Sequence, residues 1–153
     1  MYQHLFALDV KKQLLLIARK YSGIAYGNSN SRFLAWNHCH SAFLNTHKKK
    51  RISNNDFHIL CLELSAYLAS FGMYRKSFLL QRDYYCHMNA TKRIMDPKYS
   101  LLWKIKPKTR NKAKSLLFDE GGLYDEIKNS YGSDIPSDTL ITKILHGTLC
   151  FFF

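Results

Sequence analysis

The amino-acid sequence predicts an all-α protein, an irregular bundle of about five to seven helices in a single domain. Three observations predict this class. Apolar residues recur at spacings of three and four along much of the chain, which is the period of an amphipathic helix. The 153 residues include only seven glycines and three prolines, and 46% are hydrophobic, which is enough to form a buried core. No convincing alternating pattern of a strand set accompanies them.

The first three helices are predicted from their apolar periods and from the residues at their ends. A first helix is predicted from Leu5 to Tyr21, before a loop rich in glycine and asparagine. A second begins near Ser31, whose hydroxyl can cap its N-terminus. A third is capped by one of the polar residues 54–56 and ends at Gly72. This third helix is apolar nearly all round, which predicts a central position.

The second half of the chain is predicted to hold shorter helices that are separated by breaks. The residue before a proline avoids the α region, so one helix ends at Asp96-Pro97. Glycine interrupts the next helical stretch at Gly121-Gly122, and Ser137 caps the last helix. In chain order, the predicted segments are a helix over 78–95, an irregular basic segment over 97–114, one or two helices within 112–131, and a final helix after residue 137.

The net charge of +12 is distributed unevenly along the chain. Residues 1–118 carry 21 basic and 5 acidic side chains (+16), whereas residues 119–153 carry 2 basic and 6 acidic (−4). This asymmetry predicts an anionic partner for the basic part of the chain. In the alternative interpretation, the charges serve only to keep the protein soluble. The four cysteines show no paired short spacing, which favours a reduced, cytoplasmic protein. The apolar runs are too short for a membrane span.

Several stretches together resemble a family of uncharacterised bacterial proteins. They are WNHC at 36–39, LASFGMYR at 68–75, SFLLQRDY at 77–84 and PSDTLITKIL at 136–145. The resemblance covers most of residues 30–149 and implies no particular activity. The chain departs from that family at Phe71, where members have a tryptophan, and at Cys150–Phe153, where members continue into a polar segment. The C-terminal departure has two explanations, a truncated C-terminus or a helix end that docks on the protein. Truncation predicts an alternative function, that of a structural or partner-binding protein without activity.

Basic residues occupy every second position from 104 to 114, directly after a tryptophan. In an extended strand, which Pro107 favours, this spacing places all of them on one side. Such a row can follow a phosphate backbone while the tryptophan stacks on a base, whereas a helix would spread the charges around its axis. The basic turn 48–51 can widen the same patch. The predicted site for nucleic acid or another polyanion comprises Trp103, Lys104, Lys106, Lys108, Arg110, Lys112 and Lys114.

Arg82 and His87 support an enzymatic alternative. Four residues separate Arg82 from His87, and the first of them, Asp83, is polar. This pattern resembles the Arg-x4–6-His motif of HEPN ribonucleases. In these small helical domains the two residues act on RNA across a dimer interface. The resemblance implies that His87 moves protons and that Arg82 neutralises the developing charge on a phosphate. In the non-catalytic alternative, which is favoured, Arg82 pairs with Asp83 and His87 packs beside Tyr84.

A carboxylate interrupts the apolar third helix at Glu63. Such a group must be paired with a donor or have a raised pKa. Arginines and a tyrosine that follow the helix can reach it and form either a polar pocket or, as the favoured prediction, a buried strut between two helices. The predicted members are Glu63, Tyr74, Arg75, Arg82 and Asp83.

No metal site and no cofactor are predicted. His38 and His40 are two positions apart, which directs them about 200° apart on a helix. His58 and Cys61 can share a face, but no second pair at zinc-ligand spacing accompanies them. The chain also lacks the motifs of serine hydrolases, P-loop NTPases and zincins.

Overall fold

In the computed structural model, residues 31–74, 83–134 and 136–149 are described, and most of them are helical. The α-helices are α1 (Ser31–His47), α2 (Asn54–Ser70), α3 (Met88–Ile94), α4 (Arg110–Phe118), α5 (Leu123–Asn129) and α6 (Asp138–Leu149). Shorter 3₁₀ segments span Tyr84–His87, Pro97–Trp103 and Pro107–Thr109. No strand occurs within these three ranges, so the predicted all-α bundle is confirmed. The helix predicted over residues 5–21 lies outside the described residues.

Helix α2 lies at the centre of the bundle, as its apolar composition predicts. Its N-terminus carries a capping box, in which the backbone N–H of Ser53 donates to Asp56 Oδ2 (2.8 Å) and the backbone N–H of Asp56 donates to Ser53 Oγ (3.2 Å). The cap is therefore one residue earlier than the predicted range 54–56. Gly72 follows the helix with φ of 70°, a left-handed conformation that glycine adopts readily. Helices α1, α3 and α6 all contact α2.

Helices α1 and α6 are joined by polar contacts at the edge of the core. The indole N–H of Trp36 donates to the carbonyl of His146 (3.0 Å), and His40 Nδ1–H donates to the carbonyl of Thr148 (2.8 Å). The hydroxyl of Tyr67 on α2 lies 3.0 Å from His146 Nδ1, so all three helices meet here. At the other end of α6, the hydroxyl of Ser137 accepts from the backbone N–H of residue 140 (3.2 Å), which confirms the predicted cap.

The chain between α2 and α4 differs from the prediction in two places. The helix predicted over 78–95 is not continuous, because Asp83 is extended (ψ 174°) and its side chain caps the 3₁₀ segment that precedes α3. The stop at Asp96-Pro97 is confirmed. The predicted irregular segment over 97–114 is wrong, because two 3₁₀ segments and the first turns of α4 occupy most of it.

Glycines separate α4 from α5, as predicted. Gly121 has φ of 72°. A Cβ at Gly122 would lie between 2.8 and 3.0 Å from the carbonyl oxygens of residues 116, 117 and 119. The turn therefore needs glycine at both positions. Across the ranges that the structure describes, no helix is both long and apolar enough to cross a bilayer.

Candidate polyanion-binding surface

The basic segment after Trp103 does not form the predicted extended row. Lys106 is extended (φ −108°, ψ 157°), but a 3₁₀ turn begins at Pro107 and α4 begins at Arg110. The prediction of a strand is wrong from Pro107 onward, because the fixed φ of proline suits the first residue of a helical turn as well as a strand. The backbone N–H of Lys106 donates to Thr109 Oγ1 (3.0 Å), which stabilises the start of the turn.

Helix α4 separates the last three cations of the segment. Arg110 and Lys114 are four residues apart and share one side of the helix, whereas Lys112 points away from them. Ala113 and Leu117 form the buried side of the same helix. The helical spacing thus spreads these charges over the exposed surface of α4, and they do not form a single line.

The basic side chains of the segment are nevertheless all exposed to solvent. We name this set the basic surface; it consists of Lys104, Lys106, Lys108, Arg110, Lys112 and Lys114. Among residues 31–74, 83–134 and 136–149, no carboxylate lies within ion-pair distance of any of them; the ion pairs are Lys49–Asp56, Lys98–Glu126 and Lys128–Asp138. The acidic C-terminal part of the chain therefore does not neutralise the basic surface within the described residues.

Trp103 does not present a free ring beside these cations. It is partly buried against the core, and its indole stacks on the imidazole of His47 at the end of α1, with ring centroids 4.7 Å apart and planes at 21°. The predicted base-stacking role of Trp103 is therefore wrong for the ring face that His47 covers. The tryptophan instead ties the basic segment to α1.

The stack brings a second basic segment close to the basic surface. The turn after α1 contains Lys48, Lys49, Lys50 and Arg51, and all four are exposed. Burial lowers the pKa of His47, and the charge of Lys104 lowers it further, which indicates that Lys104 lies near this end of α1. The sequence predicts the basic turn but contains no signal for its position beside Trp103, because His47 and Trp103 are far apart in the chain.

His87 lies in the interior of the protein, where it cannot act on RNA. Its side chain is 0% exposed, and its ring nitrogens lie 2.8 Å from the hydroxyl of Tyr74 (Nε2) and 2.7 Å from that of Tyr131 (Nδ1). Burial lowers the pKa of His87 to about 4, so the imidazole is neutral at pH 7. The ribonuclease alternative needs an accessible histidine, and the structure contradicts this requirement. Arg82, its predicted partner, lies outside the described residues.

Two members of the polar group predicted around Glu63 have other partners. Tyr74 contacts His87, and Asp83 accepts from the backbone N–H of Tyr85 (2.8 Å) at the solvent-exposed start of a 3₁₀ segment. Glu63 is half-buried, and its charge adds to burial in raising the pKa of the Cys39 thiol on α1. The carboxylate therefore lies near α1. Arg75 and Arg82 lie outside the described residues, so their predicted roles stay predictions.

An open cleft of about 790 Å³ lies beside α3 and α5. Its lining is polar and carries both signs of charge: Asn89, Lys92, Arg93, Asp96, Glu126, Asn129, Ser130 and Gly132. Because Asp96 and Glu126 offset the two cations, the cleft does not match a polyanion as well as the basic surface does. Elsewhere in the described residues, no group of three or more His, Cys, Asp and Glu side chains is placed to hold a metal ion.

The basic surface thus brings together six exposed cations that have no ion pair among the described residues. Its cations lie on α4 and on the segment before it, and the His47–Trp103 stack anchors that segment to α1. The resemblance of the sequence to a bacterial family stays a prediction. A comparison with protein-family models finds no matching family, and searches of curated proteins and of solved structures find no significant relative.

Proposed function

We propose that this protein is a cytoplasmic, non-enzymatic protein that binds nucleic acid through the phosphates. One observation supports this function above all: the cations of the basic surface are exposed, lie within a short stretch of chain, and have no carboxylate partner among the described residues. Like charges that are gathered in this way repel one another, and bound phosphates relieve the repulsion. Lysine and arginine are also the side chains that supply most phosphate contacts.

The proposed binding is independent of sequence. Phosphate contacts position a protein on a nucleic acid but carry no sequence information. Trp103 is stacked on His47, so phosphate contacts rather than stacking by this ring supply the affinity at this point. Each phosphate that is neutralised on a duplex contributes about −0.9 to the slope of log K against log salt concentration. Contacts from all the cations of the basic surface would give a slope of about −5.

The test is fluorescence polarisation with the full chain and labelled 20-nucleotide probes: single-stranded RNA, single-stranded DNA and duplex DNA. We expect binding at 50 mM salt, and about a thousandfold loss of affinity on duplex at 200 mM salt. The variant that combines Lys104→Gln, Lys106→Gln and Lys108→Gln should weaken binding strongly. No binding at 50 mM salt would refute the proposed function.

A charge-matched control separates the basic surface from the net charge of the protein. The control variant combines Arg93→Gln, Lys128→Gln and Lys143→Gln, which lie on α3, α5 and α6. It also removes three positive charges, so the long-range attraction falls equally in both variants. The proposal requires that the control keep most of the affinity. Equal losses in the two variants would show that net charge alone attracts the probe.

A further inference from the structure

We infer that the phosphate-binding site consists of two segments and that the turn Lys48–Arg51 is its second half. We name this segment the α1–α2 turn. The inference rests on the proposed function and extends it, because it assigns additional phosphate contacts to Lys48, Lys50 and Arg51. The partner has the same chemistry, the phosphate backbone of a nucleic acid.

The ring stack connects the two segments. His47 is the last residue of α1 and Trp103 is the last residue of a 3₁₀ segment, and their ring centroids are 4.7 Å apart. Lys48 and Lys104 follow these two residues directly in the chain, and consecutive Cα atoms are only about 3.8 Å apart. Each lysine is therefore one residue away from a ring of the stack, and both are exposed.

The fold holds the α1–α2 turn in place through Lys49, which has an ion-pair partner on α2. Lys49 Nζ lies 2.6 Å from Asp56 Oδ1, and the same carboxylate belongs to the capping box of α2. The backbone N–H of Lys49 also donates to the carbonyl of Thr46 (3.0 Å). The turn is thus fixed at both sides before any ligand arrives, which reduces the entropy lost on binding.

The remaining cations of the turn are exposed and have no ion pair among the described residues. In the chain, Lys48 and Lys50 flank the paired Lys49, and Arg51 follows Lys50. The His47–Trp103 stack links these cations to the basic surface, and we refer to the two sets together as one positive region. A phosphate chain that follows this region neutralises charges from both segments.

The salt dependence of binding tests the inference. On duplex DNA, the variant with Lys48→Gln, Lys50→Gln and Arg51→Gln should reduce the magnitude of the salt slope by about 2.7, since each lost phosphate contact removes about 0.9. The affinity at 100 mM salt should fall on the order of 100-fold. The control is the charge-matched variant of Arg93, Lys128 and Lys143. Lys143 lies over the ring of Phe71, and the 17 residues of α2, about 25 Å, separate that ring from the turn.

The two hypotheses fail in different ways. If the wild-type protein does not bind at low salt, the proposed function is refuted. If it binds and the Lys104, Lys106 and Lys108 variant weakens it, but the turn variant keeps the salt slope of the control, the inference alone is refuted. The single variant Lys50→Gln gives a second measurement, because its expected slope change of about 0.9 does not require several substitutions. An unchanged slope in that variant would also count against the inference.

Discussion

Lowering the pH from 7 to 4.5 should destabilise the protein through His87. The imidazole is fully buried between the hydroxyls of Tyr74 and Tyr131, at 2.8 and 2.7 Å. Burial penalises the imidazolium form and lowers the pKa of His87 to about 4, from the ordinary value of 6.5. The folded protein thus keeps the neutral imidazole at pH values at which the unfolded chain already binds a proton.

The sign and the size of the effect follow from these two pKa values. Above pH 6.5 neither state is protonated at His87, and the residue adds no pH dependence. Between pH 6.5 and 4 only the unfolded state binds the proton, so the free energy of unfolding decreases as the pH falls. One pKa unit corresponds to about 1.4 kcal/mol, so the total loss is about 3 kcal/mol, most of it by pH 4.5. This loss is large beside the roughly 5–15 kcal/mol by which domains are stable.

The measurement is urea unfolding, followed by circular dichroism, at several pH values between 7 and 4.5. Asp56, whose pKa is lowered to about 2 from the ordinary value of 3.8, stays ionised in the folded state and contributes little above pH 4.5, where the unfolded chain also keeps most of this carboxylate ionised. The variant His87→Gln keeps a side chain that can donate and accept but cannot titrate, so its stability should depend less on pH. His47→Gln serves as the comparison: the pKa of His47 is lowered in the same direction, but the side chain is only half-buried, so this variant should lose less of the pH dependence than His87→Gln. Equal pH dependence in wild type and His87→Gln would refute the reasoning.

Three further predictions concern packing, capping and charge. Gly147→Ala should lower the free energy of unfolding by about 1–3 kcal/mol, because its Cβ would lie 2.3 Å from Cε1 of Tyr67; a higher melting temperature, as helix propensity alone predicts, would contradict this packing. Ser53→Ala removes the cap of α2 and should cost about 1 kcal/mol in urea unfolding, whereas an unchanged midpoint would mean that the cap does not contribute. Lys104→Gln should raise the pKa of His47 in an NMR titration, because one of the two causes that lower it is removed; an unchanged pKa would show that this charge does not act on the imidazole.

Local signals in the sequence were sufficient to predict where several helices end. Asp96-Pro97, Gly121-Gly122 and Ser137 act through their own backbone conformation or through a residue three positions away, so no knowledge of the tertiary structure is needed. The strand predicted through Pro107 was wrong because two periodicities overlap there. The charges alternate every second residue, but Ala113 and Leu117 are four residues apart, and their burial determined the helical conformation.

Contacts between residues that are far apart in the chain could not be predicted in this way. His87 and Tyr131 are 44 positions apart, and nothing in the local pattern around either residue identifies the other. A catalytic role for His87 therefore stayed open as the less favoured alternative, whereas the structure places His87 in a buried hydrogen-bonded cluster. The contact between Trp103 and His47 could not be predicted either, because His47 belongs to a helix that ends long before the basic segment begins.

The His47–Trp103 stack changes the predicted role of Trp103 and, at the same time, enlarges the proposed site. Trp103 was predicted to stack on a base, but His47 covers one face of its ring. However, a ring that packs on His47 also holds Lys104 next to the α1–α2 turn, which a ring in solvent cannot do. In the proposed site, the tryptophan therefore acts by its position within the protein: it links two short basic segments, each too small to neutralise many phosphates. Because the affinity of such contacts grows with the number of phosphates neutralised, joining the segments matters more than the conformation of either one.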